Sequence, residues 1–268
     1  MIKARGWMLY LGMAFLALIV LFAIFGPTIR HNYLRPAGAP HLLPNSEFWL
    51  GTDELGRDIF ARLAYGARIS LYVGLVVQAI SLVIGITVGV LGVVAPKWIR
   101  VPLMRFTDGM FAFPDILLAI LVISIYGLGL TPVIIALSIT SWPGKARLVM
   151  TQVASLKDRE FVVASKALGG STFYVMTRHV LPQLWGILLA VTMVEVAGTI
   201  LAESTLSFLG IGVQPPDPSW GSMINNARQE MNSYPYHLLW PCILLSVTIF
   251  ALNFVGDGLR AAFDPKNR

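Results

Sequence analysis

The sequence predicts an all-α, polytopic membrane protein with six transmembrane helices. Three observations carry that expectation. First, 56% of the 268 residues are hydrophobic and only 13% are charged, about half the roughly 25% charged content of a soluble domain. Second, the mean hydropathy is +0.71. Third, the apolar residues gather in six runs, at about 8–26, 70–94, 107–126, 131–150, 186–206 and 237–258. Each is near the ~20 residues that cross about 30 Å of hydrocarbon as a helix. A helix satisfies its own backbone hydrogen bonds in lipid. A closed barrel does so too, but its strands alternate apolar and polar residues, and LALIVLFAIF does not.

The first run follows Lys3 and Arg5, and carries no charge from Gly6 to Ile29. That exceeds the ~7–15 residues of a signal-peptide core, and no small-x-small cleavage pattern follows, so it reads as a retained span. The next stretch, 27–69, starts rich in proline and runs into GTDELGRDIFARLAYGARISL. Ile59, Phe60, Leu63 and Ala64 recur there at helical spacing, with Arg57, Arg62 and Arg68 between them. This predicts a helix lying in the membrane interface, its arginines reaching the headgroups. The chain thus divides into 1–69, a first span with an external segment, and 70–268, a five-span core.

Within that core, Gly85, Gly89 and Gly92 predict close helix contact. Only Gly127 to Thr131 separates the third run from the fourth. Pro143 predicts a kink in the fourth. The connection 207–236 contains Pro215-Pro216-Asp217-Pro218, which cannot lie inside a helix and reads as a rigid turn.

An even number of spans places both termini on one side. That side collects fourteen of the lysines and arginines, Lys3, Arg5, Lys145, Lys157, Lys166, Lys266 and Arg268 among them. The other side collects six: Arg30, Arg35, Arg57, Arg62, Arg68 and Arg228. The positive-inside rule makes the richer side cytoplasmic. The same asymmetry accounts for the net charge of +6. No basic stripe interleaved with aromatics points to nucleic acid.

Several chemistries lack their residues. Cys242 is the single cysteine, so no internal disulfide, thiolate cluster or redox pair forms. The histidines, His31, His41, His179 and His237, fall in loops or at span ends. No HExxH pattern or intramembrane pair predicts zinc or haem, and the expectation is that the chain holds no metal. The nearest fragment to a phosphate-binding loop, Trp142-Pro143-Gly144-Lys145-Ala146, lacks the first glycine and the hydroxyl residue after the lysine. The chain therefore has no site for ATP hydrolysis. No histidine is placed to serve as base for an intramembrane serine protease.

Five acids near or inside the runs require a reason: Asp108, Asp115, Glu195, Glu203 and Asp257. Each costs about 2.5–3.5 kcal/mol at a helix centre. Glu195 is the deepest. It serves either a polar pathway, meeting a substrate amine, or an ion pair between helices. Intramembrane polar groups commonly act as interhelical glue, which favours the second.

The cytoplasmic connector, about 151–185, contains FVVASKALGGSTFYVMTRHVLP. Phe161, Ala164, Ser165 and Leu168 fall at i, i+3, i+4 and i+7, a small stripe on a short helix. Gly169-Gly170 ends that helix through a left-handed cap. Ser171 caps a second helix, and Pro182 is tolerated in the first turn of the next span. Small side chains let another backbone approach. The stripe suits docking on a partner or packing on the protein's own inner face, and the pattern alone leaves both open.

This segment resembles the EAA loop of ATP-binding cassette importer permeases: Glu-Ala-Ala, three residues, Gly, nine residues, Ile, one residue, Leu-Pro. Val163-Ala164-Ser165 stands at the Glu-Ala-Ala, Gly169 at the glycine, His179 at the isoleucine and Leu181-Pro182 at the end. The spacing is kept; Val163, Ser165 and His179 are departures. Glu160-Phe161 is also similar to the family. GTDELGRDIFARLAYGARISL, ESTLSFLGIGVQPPDPSWGSMINNAR and NFVGDGLRAAFDP resemble permeases of the dipeptide, oligopeptide and nickel subfamily.

The resemblance implies one of two related permease subunits in a heterodimer in the inner membrane of a bacterial or archaeal cell. Two cytoplasmic ATPase subunits would bind ATP and Mg, and the chain itself would bind no cofactor. An external binding protein would deliver substrate, with Pro216, Asp217 and Trp220 as candidate contacts. The helix from about Arg159 to Leu168 would be the coupling helix. Its coupling residues would be Glu160, Phe161, Val163, Ala164, Ser165, Lys166, Ala167 and Leu168, followed by Gly169 and Gly170. The implied substrates are di- and oligopeptides, with nickel or a metal chelate as the rival. A proton-coupled secondary transporter using Glu195 or Glu203 is the alternative from another class.

Overall fold

The computed structural model describes residues 2–263. Lys266 and Arg268, and the side chains of Lys3 and Arg5, all counted above as cytoplasmic cations, lie outside the described residues. Among these residues the chain is helical, with one isolated bridge pair, Thr52 and Asp58, and no strand. The helices are α1 (Ile2–Ile29), α2 (Ile59–Val94), α3 (Lys97–Met110), α4 (Asp115–Tyr126) and α5 (Leu130–Leu156). They continue with α6 (Glu160–Ala167), α7 (Thr172–Phe208), α8 (Trp220–Gln229) and α9 (Tyr236–Phe263).

Four of these, α1, α2, α7 and α9, are each long and apolar enough to cross a membrane. The third expected span is not one helix. Residues 97–110 and 115–126 form two helices bent by 97°, which meet the same test only as a pair. Pro114 explains the break. It has no N–H to continue the ladder, and it disfavours the helical conformation at Phe113. α5 is 27 residues long, but its Ser141–Arg147 stretch makes it less apolar than the other four. Length and composition therefore identify four single spans and one bent pair among the described residues.

The expected interfacial helix takes a different form. The stretch from Ile59 to Arg68 is helical, but it is not a separate interfacial helix. It forms the first turns of α2, which runs unbroken for 36 residues. Asp58 starts that helix, its carboxylate accepting the Phe60 N–H at 2.9 Å. Arg57 and Arg62 are buried rather than turned outward, and only Arg68 is exposed. Arg57 Nε lies 2.7 Å from the Asp53 carboxylate and Arg62 Nε lies 3.3 Å from it. Arg62 also donates to the Tyr33 carbonyl, and Arg68 to the carbonyls of Ala23 and Ile24. These bonds tie the 30–58 loop and the end of α1 onto α2.

α2 is the central element and packs on α1, α5 and α7; α9 closes the bundle against α1 and α7. Three apolar clusters follow from this. Val73 and Val77 of α2 meet Ile123 of α4, Ala136 of α5 and Leu206 of α7. Nearer the start of α2, Leu63 and Ala67 meet Ile19, Ile200, Trp220 and Leu252. Toward its end lies the third, with Val149 and Val153 of α5, Val162 of α6, and Val175 and Val180 of α7.

The expected close contact at the second-span glycines is present and is specific. A Cβ on Gly85 would sit 2.5 Å from Lys145 Cβ, and one on Gly89 would sit 2.6 Å from both the Ala146 carbonyl oxygen and Val149 Cβ. Close approach of backbones is what lets α2 and α5 share their long interface. Replacing Gly89 by leucine should therefore destabilise the protein by at least about 1–3 kcal/mol, the usual cost of overpacking. Gly109→Ala, where an added Cβ meets nothing within 4 Å, should be neutral or slightly stabilising. Thermal unfolding of the detergent-solubilised protein checks both, and equal midpoints would refute the packing argument.

Candidate functional site

A cavity of about 360 Å³ opens between α2, α4, α5 and α7. Its walls include Gln78 of α2, Asp115 and Ala119 of α4, Thr140, Ser141 and Pro143 of α5, and Glu195, Thr199 and Leu206 of α7. Met110 and Phe111, at the α3–α4 break, complete the rim. The 97° bend thus turns residues on both sides of the break, Phe111 and Asp115, toward one space.

One polar cluster sits in its wall. The Lys145 ammonium pairs with the Glu195 carboxylate and donates to the Gln78 side-chain carbonyl. The Gln78 amide then donates to Thr199 Oγ1 at 2.6 Å and to the Glu195 backbone carbonyl at 3.2 Å. α2, α5 and α7 are therefore held together by one continuous network. Lys145 is almost wholly buried, at 1% exposure, whereas Glu195 keeps 32%. Glu195 thus makes an interhelical ion pair and also lines the cavity. Lys145, counted from sequence among the cytoplasmic cations, is instead inside the helix bundle. Its partner is 50 residues away in sequence, so no local pattern could pair them.

Glu203 does not share this cavity. It has no exposed surface and accepts hydrogen bonds from Ser207 at 2.7 Å and Ser70 at 3.3 Å. Ser207 in turn accepts the Val213 N–H at 3.0 Å. This network ties α7 to α2 and to the loop that follows α7. Asp108 pairs with Arg147 at 2.6 Å on an exposed face; Asp257 is exposed.

The connector is a short helix, a glycine cap and a second helix. In α6, Val162 is fully buried and anchors the helix, while Phe161, Val163, Ala164 and Leu168 are exposed. Glu160, Lys166 and Ala167 are exposed as well, and Ser165 is half-buried. Gly169 takes φ +87°. Its N–H donates to the Lys166 carbonyl at 3.0 Å, and the Gly170 N–H donates to the Ser165 carbonyl at 3.0 Å. These two bonds form a Schellman cap. Ser171 then caps α7, accepting the Tyr174 N–H at 3.2 Å. Leu181-Pro182 does not begin a new helix. α7 runs through it, and a π turn at Met176–Val180 precedes it, giving room where the proline has no N–H and would crowd the preceding turn.

The last loop corrects one assignment. Pro216 is exposed and Asp217 half-exposed, its carboxylate accepting from the Tyr33 hydroxyl at 3.4 Å. Burial, with the neighbouring Tyr65, pushes the Tyr33 phenol up. Trp220, however, is completely buried, and its indole N–H donates to the Leu63 carbonyl at 3.2 Å. It is a core residue and offers no surface to an external protein. Two of the histidines expected in loops or at span ends also come together. His41, Glu230 and His237 converge, with ligand atoms within 4.8 Å of one another. His41 stands nearly 200 residues before Glu230 and His237, which hid that cluster from any spacing rule.

The buried pair gives a graded expectation. Glu195→Gln leaves the Lys145 cation in the interior and should cost about 3–5 kcal/mol, the usual penalty for breaking a buried pair. Lys145→Met leaves a carboxylate that can hydrate from the cavity, and should cost less. The double substitution should be milder than Glu195→Gln alone. Thermal unfolding of the three variants tests the order, and additivity of the two single effects would refute the coupling.

Residues 81–268 match the model of the family described as binding-protein-dependent transport system inner membrane component. The chain is 39% identical over 262 residues to the dipeptide transport system permease protein DppC of Bacillus subtilis, covering 96% of this chain and 81% of that one. It is 38% identical to the oligopeptide transport system permease protein OppC of the same organism, covering 96% and 85%. The glutathione transport system permease protein GsiD of Pectobacterium atrosepticum is 40% identical over 223 residues, 83% of this chain and 74% of that one. Among solved structures, a chain of the MetNI methionine ABC transporter in an inward-facing conformation matches with TM-score 0.60 at 19% identity, covering 76% of this chain and 96% of that one. That likeness shows the fold.

Proposed function

Because the chain belongs to the binding-protein-dependent transport system inner membrane components, we propose that it is one permease subunit of an ATP-driven importer for di- and oligopeptides. The three peptide-family relatives support the substrate class. The cavity chemistry agrees with it. Apolar walls accept varied side chains, while Thr140, Ser141 and Thr199 offer hydroxyls and Asp115 and Glu195 offer carboxylates. A peptide presents amides and an amino terminus to such a surface. Membership in this family displaces the proton-coupled secondary transporter, and the relatives displace the nickel reading.

The proposal includes six crossings, with α5 as one and the bent α3–α4 pair as another. Both termini then face the cytoplasm, on the side of α6. The loop 30–58 and the 207–236 connection face outward, where Pro216 and Asp217 are available to a substrate-binding protein. Of the six arginines on that side, Arg57 and Arg62 sit in ion pairs and Arg30 and Arg68 on backbone carbonyls, and the more numerous cations on the other side set the orientation. A second permease subunit completes the pathway. Two ATPase subunits, carrying ATP and Mg, dock below.

The observation that carries the mechanism is the exposed face of α6. Phe161, Ala164 and Leu168 point away from their own bundle while Val162 pins the helix to α5 and α7. A partner groove can take that face, and a push on it reaches the cavity wall through α5 and α7. The rigid glycine cap keeps the push from being absorbed in a floppy loop. A packed, bistable interface is what amplifies such small shifts.

Gly169→Pro, Ala164→Trp and Leu168→Asp should each lower peptide uptake at least about tenfold. ATP hydrolysis should lose its stimulation by substrate, and the protein should still insert. Uptake into vesicles, ATPase rates and retained ATPase subunit in the purified complex read this out. Unchanged uptake in all three variants would remove α6 as the coupling element.

A further inference from the structure

At the end of α2 opposite α6, the 30–58 loop meets the end of α8 and the start of α9. Three side chains converge there: His41 from the loop, Glu230 just after α8 and His237 in the first turn of α9. His41 Nδ1 and His237 Nδ1 each lie 3.6 Å from the same Glu230 oxygen. That is too long for a hydrogen bond of about 2.7–3.2 Å. It is close to the ~3.3 Å edge of a tetrahedron whose ligands stand about 2.0–2.1 Å from one ion.

The surroundings are built rather than incidental. His237 is 7% exposed. Its Nε2, and Nδ1 of His41, are buried with no hydrogen-bond partner, an expense that native structures rarely leave unexplained. Tyr234 stacks on His41 at 4.1 Å and on His237 at 5.5 Å, holding both rings in place. His41 is the one non-glycine among the described residues with a positive φ, +57°. A crevice of about 30 Å³ lies beside Glu230 and His237, room for an ion with one water. Asp53, Glu54 and Arg62 also line it, and the Arg62 charge is answered by Asp53 at 3.3 Å.

We propose that His41, Glu230 and His237 form a zinc site, with three protein ligands and an open fourth position, clamping the 30–58 loop to α8 and α9. Two imidazoles and a carboxylate are a zinc donor set. The site lies apart from the cavity, so the ion is structural or regulatory and not cargo. It depends only on the geometry of this end of the bundle, and holds whether or not the substrate is a peptide.

The test uses the full-length chain in detergent, purified with a histidine-free tag and stripped with EDTA. Zinc chloride is titrated against a chromophoric chelator, and bound metal is measured after desalting. The expected result is one Zn²⁺ per chain and a raised unfolding midpoint. Co²⁺ should give the intense visible absorption of a four-coordinate site. His41→Gln and Glu230→Gln should weaken binding at least about 100-fold, beyond the 10–100-fold cost of losing a mere supporting contact. His31→Gln, at a histidine paired separately with Asp58 at 3.1 Å, should leave binding unchanged. His41 lies half-buried in a loop, so its variant should unfold in EDTA at the parent's midpoint. No zinc retained by the parent, or equal zinc in the parent, His41→Gln and Glu230→Gln, would overturn the site.

Discussion

A lysine buried in a helix bundle is the constraint on which the cavity depends. An ammonium removed from water carries a penalty of several kcal/mol unless its charge and its protons are answered. Lys145 is answered by Glu195 from α7 and Gln78 from α2. That requirement brings three helices to one point. It also puts the only partly exposed member, Glu195, on the cavity wall. The glycines of α2 make the arrangement sterically feasible, because a Cβ on Gly85 would already touch the lysine's own Cβ. Charge and close packing are thus two halves of one feature.

The two ends of α2 serve different purposes. At its start, Asp53, Arg57, Arg62 and the Tyr33 carbonyl form a dense polar cap over the bundle. The buried Trp220 stitches α8 into the same cap through the Leu63 carbonyl. Many buried contacts make this region resistant to local opening. At its other end the connector is held by few anchors, Val162 foremost, and leaves an exposed helical face. Such an asymmetry suits the coupling role proposed for α6.

Helices, their order and the connector's joint were legible in the sequence because each has a local cause. Apolar runs of spanning length, a Gly169-Gly170 cap and a Ser171 cap depend on neighbours within one or two turns. Where reading failed, a distant partner had intervened. The arginines of 57–68 looked like headgroup ligands until Asp53 and the carbonyls of Tyr33, Ala23 and Ile24 claimed them. Trp220 looked like surface in a polar loop until Leu63 and Ile200 enclosed it. The third span looked continuous because two phenylalanines and an alanine kept the break apolar, and hydropathy does not register a bend.

By itself, the sequence determined that this is a helical membrane protein with a jointed, family-specific connector, since hydropathy, helix capping and motif spacing are short-range properties. Only the tertiary structure decided which charges are spent on the interior. The pairing of Lys145 with Glu195 and the approach of His41 to Glu230 and His237 join residues 50 to nearly 200 positions apart. Such pairings have no periodicity to betray them. They exist because burying a polar group is costly until a partner is found, and the partner is chosen by how the helices cross.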